Sequence, residues 1–77
     1  MTTPPMRDNL DLASSAREMA DKLPAGSLDQ AAAASVAITC ATTRTIPQAR
    51  DVLQGLTPAP VRQAALDLFD RLSRQGH

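Results

Sequence analysis

The stretch Ala31-Ala-Ala-Ala-Ser-Val-Ala-Ile-Thr-Cys-Ala41 constrains this chain more than any other feature, because it is small or apolar in every direction. Alanine is the strongest helix former. The four residues ahead of the run, Ser27-Leu-Asp-Gln30, have the form of a capping box, in which the serine hydroxyl serves the amide three residues on. The pattern therefore predicts a helix over 28–42. On that helix Val36 and Ile38 point about 160° apart, so no polar face remains for water. Eleven residues fall well short of the ~20 needed to cross a bilayer. A helix of this kind is expected at the centre of a helical domain, its alanines letting neighbours approach closely.

The rest of the chain supplies those neighbours. Leu12, Ala16, Met19, Ala20 and Leu23 recur at spacings of three and four, predicting a helix over 10–23 with Asp8 or Asn9 as its cap and Pro24 and Gly26 as its stop. Thr45-Ile-Pro-Gln48 repeats the capping-box logic and opens a short helix over 46–54. There Ala49, Val52 and Leu53 face inward, Arg50 faces outward, and Gly55 takes the C′ position. Thr57 is the expected cap of a last helix over 58–74, with Pro58 and Pro60 in its first turn and Gly76 at its end. Its core stripe is Val61, Ala65, Leu68 and Leu72, and Asp67–Arg71 and Asp70–Arg74 are spaced as i,i+4 ion pairs. No segment alternates with period two for long enough to make a strand. The expected fold is all-α, a bundle of four helices over 10–23, 28–42, 46–54 and 58–74. Residues 9–77 form one domain, and residues 1–8, with two prolines and no periodicity, form a flexible tail.

Seventy-seven residues bury only about 60% of the surface of the unfolded chain, and Phe69 is the sole aromatic, so association is expected to supplement a marginal core. The start Met1-Thr-Thr-Pro-Pro-Met6 lacks the basic and apolar segments of a signal peptide, which points to the cytoplasm. Arginine outnumbers lysine seven to one, the bias of GC-rich bacterial coding. Eight cations balance eight carboxylates, which removes the unspecific attraction to nucleic acid or to a membrane surface. That neutrality is a cancellation: residues 1–43 carry three cations against five carboxylates, and residues 44–77 carry five against three.

The inventory for chemistry is poor. His77 is the last residue, and Cys40 sits late in the alanine helix, where a cysteine acts as a small buried hydrophobe; Arg44, four residues on, is the one cation placed to activate it. The spaced carboxylates Asp8 and Asp11, and Asp67 and Asp70, lack a histidine at ligand spacing. No glycine-rich loop is present for phosphate. No enzymatic activity, catalytic residue, metal or cofactor is expected.

Two patterns suggest binding. On the last helix Leu66 and Phe69 lie to one side of the core stripe with Arg62 between them, and Arg62 or Arg71 would pair with acidic groups at the rim of a contact. An aromatic, an aliphatic and arginines together form a credible protein-binding anchor. The second pattern is the span 46–72, a short helix, the turn Gly55-Leu56-Thr57 and a longer helix. It loosely resembles a helix-turn-helix, which would aim Ala59, Arg62 and Gln63 at a major groove. Against it stand the six-residue gap from Ala49 to Gly55, the two prolines in the turn, and the negative charge of Asp67 and Asp70. The leading expectation is a small protein-interaction module, an adaptor, inhibitor or regulatory subunit. It would associate with itself as a homodimer through Arg62, Leu66, Phe69 and Arg71, or with a protein partner. A DNA-binding regulator is the alternative.

Overall fold

A computed structural model describes residues 9–74, so the expected 1–8 tail, the Asp8 cap, Gly76 and His77 lie outside the described residues. The described chain is four helices without a strand: α1 (Asn9–Lys22), α2 (Leu28–Thr42), α3 (Ile46–Leu53) and α4 (Ala59–Arg74). Each end falls within one residue of the boundary read from the sequence. α2 is central, packing against α1 over its length and against α4 and α3 on its other flank. With only a short turn between them, α1 and α2 form an antiparallel hairpin.

The caps explain most of these boundaries. Ser27 Oγ accepts from the Gln30 amide at 3.1 Å and donates to the Pro24 carbonyl at 2.8 Å, so one hydroxyl closes the turn and opens α2. Gly26 completes that turn at φ +82°, in the left-handed region that a Cβ would strain. Thr45 Oγ1 accepts from the Gln48 amide, while Gln48 Oε1 accepts from the Arg44 amide. The reciprocal arm of the box thus lands one residue upstream of its usual place.

Three expectations about helix ends are corrected. Asn9 does not cap α1. Its side chain is buried, and Nδ2 donates across the fold to Thr43 Oγ1 at 2.8 Å and to the Thr45 carbonyl at 3.0 Å. Gly55 does not adopt the left-handed C′ conformation; α3 ends at Gln54 in the right-handed region, tightened by Gly55 N–H to the Val52 carbonyl and Leu56 N–H to the Leu53 carbonyl. Thr57 is not the α4 cap either. The Pro58 carbonyl accepts from both the Val61 and Arg62 amides, and Pro60 stands in the first turn, where its missing N–H would have no partner.

The core runs through all four helices: Leu12 and Ala16 from α1, Ala32, Ala33, Val36 and Cys40 from α2, Ala49 and Leu53 from α3, and Ala65, Leu68, Phe69 and Leu72 from α4. Three inward assignments move. Val52 is 48% exposed, because α3 is only two turns long and fully buries only Ala49 and Leu53, with Ile46 partly buried against the core. Val61 is half-buried, in the first turn of α4. Ile38 is 66% exposed, so α2 is not covered on all sides; its outer face meets water with Ile38, Ala41 and Thr42.

Candidate functional site

Helix α4 carries the residues singled out from the sequence, and the fold distributes them differently. Phe69 is not at the margin of the core. It is wholly enclosed, the largest of the fully buried side chains. Its outer flank is closed by α3: Arg50 lies over the ring at 5.4 Å and its Nη2 donates to Asp70 Oδ1 at 2.6 Å. Arg50, expected to face outward, instead ties α3 to α4, and Asp70 is taken by Arg50 rather than by Arg74. Leu66 is half-buried and packs against the core. Arg62 turns back over the α3–α4 connection, with Nη1 3.5 Å from the Leu56 carbonyl. Arg71 is exposed and stands with Asp29 at the rim of a hollow of about 200 Å³, floored by Met19, Leu23, Ala32 and Leu68.

Of the three side chains proposed to read DNA, Ala59 is exposed and Gln63 is exposed with Nε2 donating to Asp67 Oδ1 at 3.2 Å. Arg62 is the third, and it points at the protein's own backbone. The carboxylate of Asp67 therefore sits where a phosphate-facing surface would need positive charge.

The threonines at the end of α2, Thr39, Thr42 and Thr43, have structural roles. Thr43 Oγ1 donates to the Thr39 carbonyl at 2.7 Å while accepting from Asn9, and Thr42 Oγ1 returns to the Ile38 and Thr39 carbonyls. These hydroxyls close the last turn of α2. Beneath them Cys40 is buried and unbridged, and burial pushes its thiol up from its ordinary 9.0 to about 11. That direction is opposite to what a nucleophilic thiolate needs, and the backbone amide of Arg44 is engaged with Gln48 in an exposed turn. Among the described residues no three His, Cys, Asp or Glu side chains converge as metal ligands, and no helix is long and apolar enough to cross a membrane.

A concavity larger than the hollow beside Arg71 is formed by α1 and α2. Between the outer faces of α1 and α2 runs an open groove of about 400 Å³. Ala13 and Ala20 from α1 and Ala34 and Ala37 from α2 line its length, Arg17 and Asp21 edge it on α1, and Gln30 edges it on α2. Ile38, 66% exposed, also lines it, and it and Leu10, 69% exposed and outside the lining, are the most open large aliphatic side chains among the described residues. Leu10 lies one turn beyond Ser14 on the same face of α1.

Sequence reasoning passed over both. Leu10 is two residues from the buried Leu12, and Ile38 two from the buried Val36, so each points about 160° away from a core residue on its own helix. That opposition was the available signal. It was masked on α2 by the expectation that the helix is covered all round.

No protein family, curated protein or solved structure matches the chain, so the functional reading rests on its own geometry.

Proposed function

We propose that the chain is a small non-enzymatic protein-interaction module, an adaptor, inhibitor or regulatory subunit, and that its contact surface is the outer face of the α1–α2 hairpin. The observation that carries this is the exposure of Ile38 in an alanine-lined groove, with Leu10, also exposed, one turn before the groove residue Ser14 on α1. Burying those two side chains against a partner would contribute about 1.5–3 kcal/mol each. The alanines beside them place no long side chain in the way of an approaching helix. The α4 strip supports the reading less well: its aromatic anchor is enclosed, Leu66 is half-covered, and Arg62 is turned inward. A place in the cytoplasm of a bacterium belongs to the same proposal, supported by a fold whose cysteine is kept as a buried thiol.

The test is affinity capture with the full chain, with Ile38→Asp, and with Arg71→Glu. The expected result is a bound protein retained by the wild type and by Arg71→Glu and lost, by tenfold or more, with Ile38→Asp. Retention that ignores Ile38→Asp but is lost with Arg71→Glu would return the surface to α4. Duplex DNA is expected to show no retention that weakens as salt rises.

A further inference from the structure

The geometry points to the hollow between α1, α2 and α4 as a binding site for a free α-amino acid with an aliphatic or thioether side chain. This site is separate from the α1–α2 contact surface and goes beyond the reading of the chain as an interaction module.

The hollow lies where the end of α1 meets the first turns of α2 and the middle and end of α4. On α4, Ala64, Leu68 and Arg71 follow one another at spacings of four and three and share a face; on α2, Asp29 and Ala32 are three apart and do the same. The fold thus brings one carboxylate and one guanidinium, from two different helices, to a single apolar recess. The recess has a closed floor, with Ala32 2% and Leu68 4% exposed. Met19, Leu23 and Ala64 pack against the core but stay only partly buried, so each leaves apolar surface for a ligand to cover.

The two charges are uncommitted. Asp29 and Arg71 form no ion pair with each other or with any other described residue. The carboxylates nearest to Arg71 along α4 are held elsewhere, Asp67 by the Gln63 amide and Asp70 by Arg50. A cation and an anion that line one recess without closing on each other are complementary to a molecule that carries both signs. An α-amino acid carries them on one carbon. Its carboxylate would accept from the Arg71 guanidinium, its ammonium would donate to the Asp29 carboxylate, and its side chain would lie on Met19, Leu23 and Leu68.

Size makes the same selection. A cavity of about 150 Å³ takes up benzene, and drug-sized ligands occupy about 300 Å³ or more, so a hollow of about 200 Å³ falls between them. Leucine or methionine fits that interval. A side chain from a protein partner would fill the floor but bring neither charge, and a chain terminus would bring only one. Because Asp29 and Arg71 are exposed, water screens both contacts, and the dissociation constant is expected at about 0.1–1 mM.

The test is methyl and backbone NMR of the full chain titrated with L-leucine and L-methionine. Two analogues of leucine run alongside: 4-methylpentanoate, which lacks the ammonium, and 3-methylbutylamine, which lacks the carboxylate. The expected result is saturable shifts at Met19, Leu23, Ala32, Ala64 and Leu68 with either amino acid, Leu10 and Ile38 unmoved, and binding weaker by roughly fivefold or more for each analogue. Arg71→Gln and Asp29→Asn change exposed side chains and are expected to keep the native spectrum. Arg71→Gln should weaken leucine by roughly the same factor and leave 3-methylbutylamine unchanged, whereas Asp29→Asn should weaken leucine and leave 4-methylpentanoate unchanged. Ile38→Asp, on the other surface, should bind leucine as the wild type does, so the site and the interaction module fail separately. No saturable shift at concentrations well above the expected constant overturns the site. Leucine binding no tighter than that of either analogue, or indifferent to Asp29→Asn or Arg71→Gln, overturns an amino acid as its occupant.

Discussion

Asn9 is the residue on which the α2–α3 corner turns. Its amide satisfies two oxygens from that corner, Thr43 Oγ1 and the Thr45 carbonyl, across a sequence separation of more than 30 residues. Asn9→Ala leaves both without that donor and is expected to cost about 1–3 kcal/mol in urea unfolding. Asn9→Asp, which keeps the shape but offers only acceptors, is expected to cost at least as much. The two glycines make a sharper contrast. Gly26→Ala forces a side chain onto φ +82° and is expected to destabilise by about 1 kcal/mol. At Gly55 an added Cβ meets only the Val52 carbonyl at an ordinary 3.5 Å, so Gly55→Ala is expected to be neutral or to stabilise by up to about 1 kcal/mol. Cys40 sets a pH window. Its folded thiol stays protonated to about pH 11, whereas the unfolded thiol ionises near 9.0. The unfolded state therefore loses a proton first, and stability is expected to hold below pH 9 and to fall as pH rises from 9 towards 11. Cys40→Ala should flatten that part of a pH-dependent unfolding profile.

At the scale of elements, α3 is the weak link, since it is two turns long and fully buries only Ala49 and Leu53. Arg50 supplements that grip by pairing with Asp70 and covering Phe69. Both partners of the pair are more than one-third exposed, so screening limits the ion pair to at most about 1 kcal/mol, with a comparable contribution from the ring. Arg50→Ala is expected to cost about 1 kcal/mol, less at high salt, and to speed hydrogen exchange in α3 before the other helices. This node also shows what was legible in the sequence. Helix boundaries, the Ser27 and Thr45 caps and most of the core stripes follow from local periodicity and hydrogen-bond chemistry, which involve residues three or four apart. Periodicity gives an angle on a wheel but does not say which neighbour covers it. Phe69 lies about 80° round from Val61 and looks marginal on α4 alone. It becomes central because α3 closes over it. The same limit hid Asn9, whose partners are on another corner, and left Leu10 and Ile38 unassigned.

For the whole molecule, the fold separates a closed side from an open one. The α3–α4 side is sealed by Arg50 over Phe69, and truncating that ring removes the largest core side chain from a chain with little core to spare. Phe69→Ala is expected to cost about 3–5 kcal/mol and to abolish cooperative unfolding in calorimetry, a folding defect rather than an interface defect. Ile38→Asp is expected to leave the monomer within about 0.5 kcal/mol of wild type. The central claim is that association uses the open α1–α2 side. Its most direct test is titration of the isotopically labelled full chain with a protein it captures, followed by backbone and methyl NMR. The account predicts that shifts on binding are confined to Leu10, Ser14, Ala34, Ile38, Ala41 and their neighbours, with Arg62, Leu66 and Arg71 unmoved. Shifts centred on those three α4 residues, with Leu10 and Ile38 silent, would contradict it.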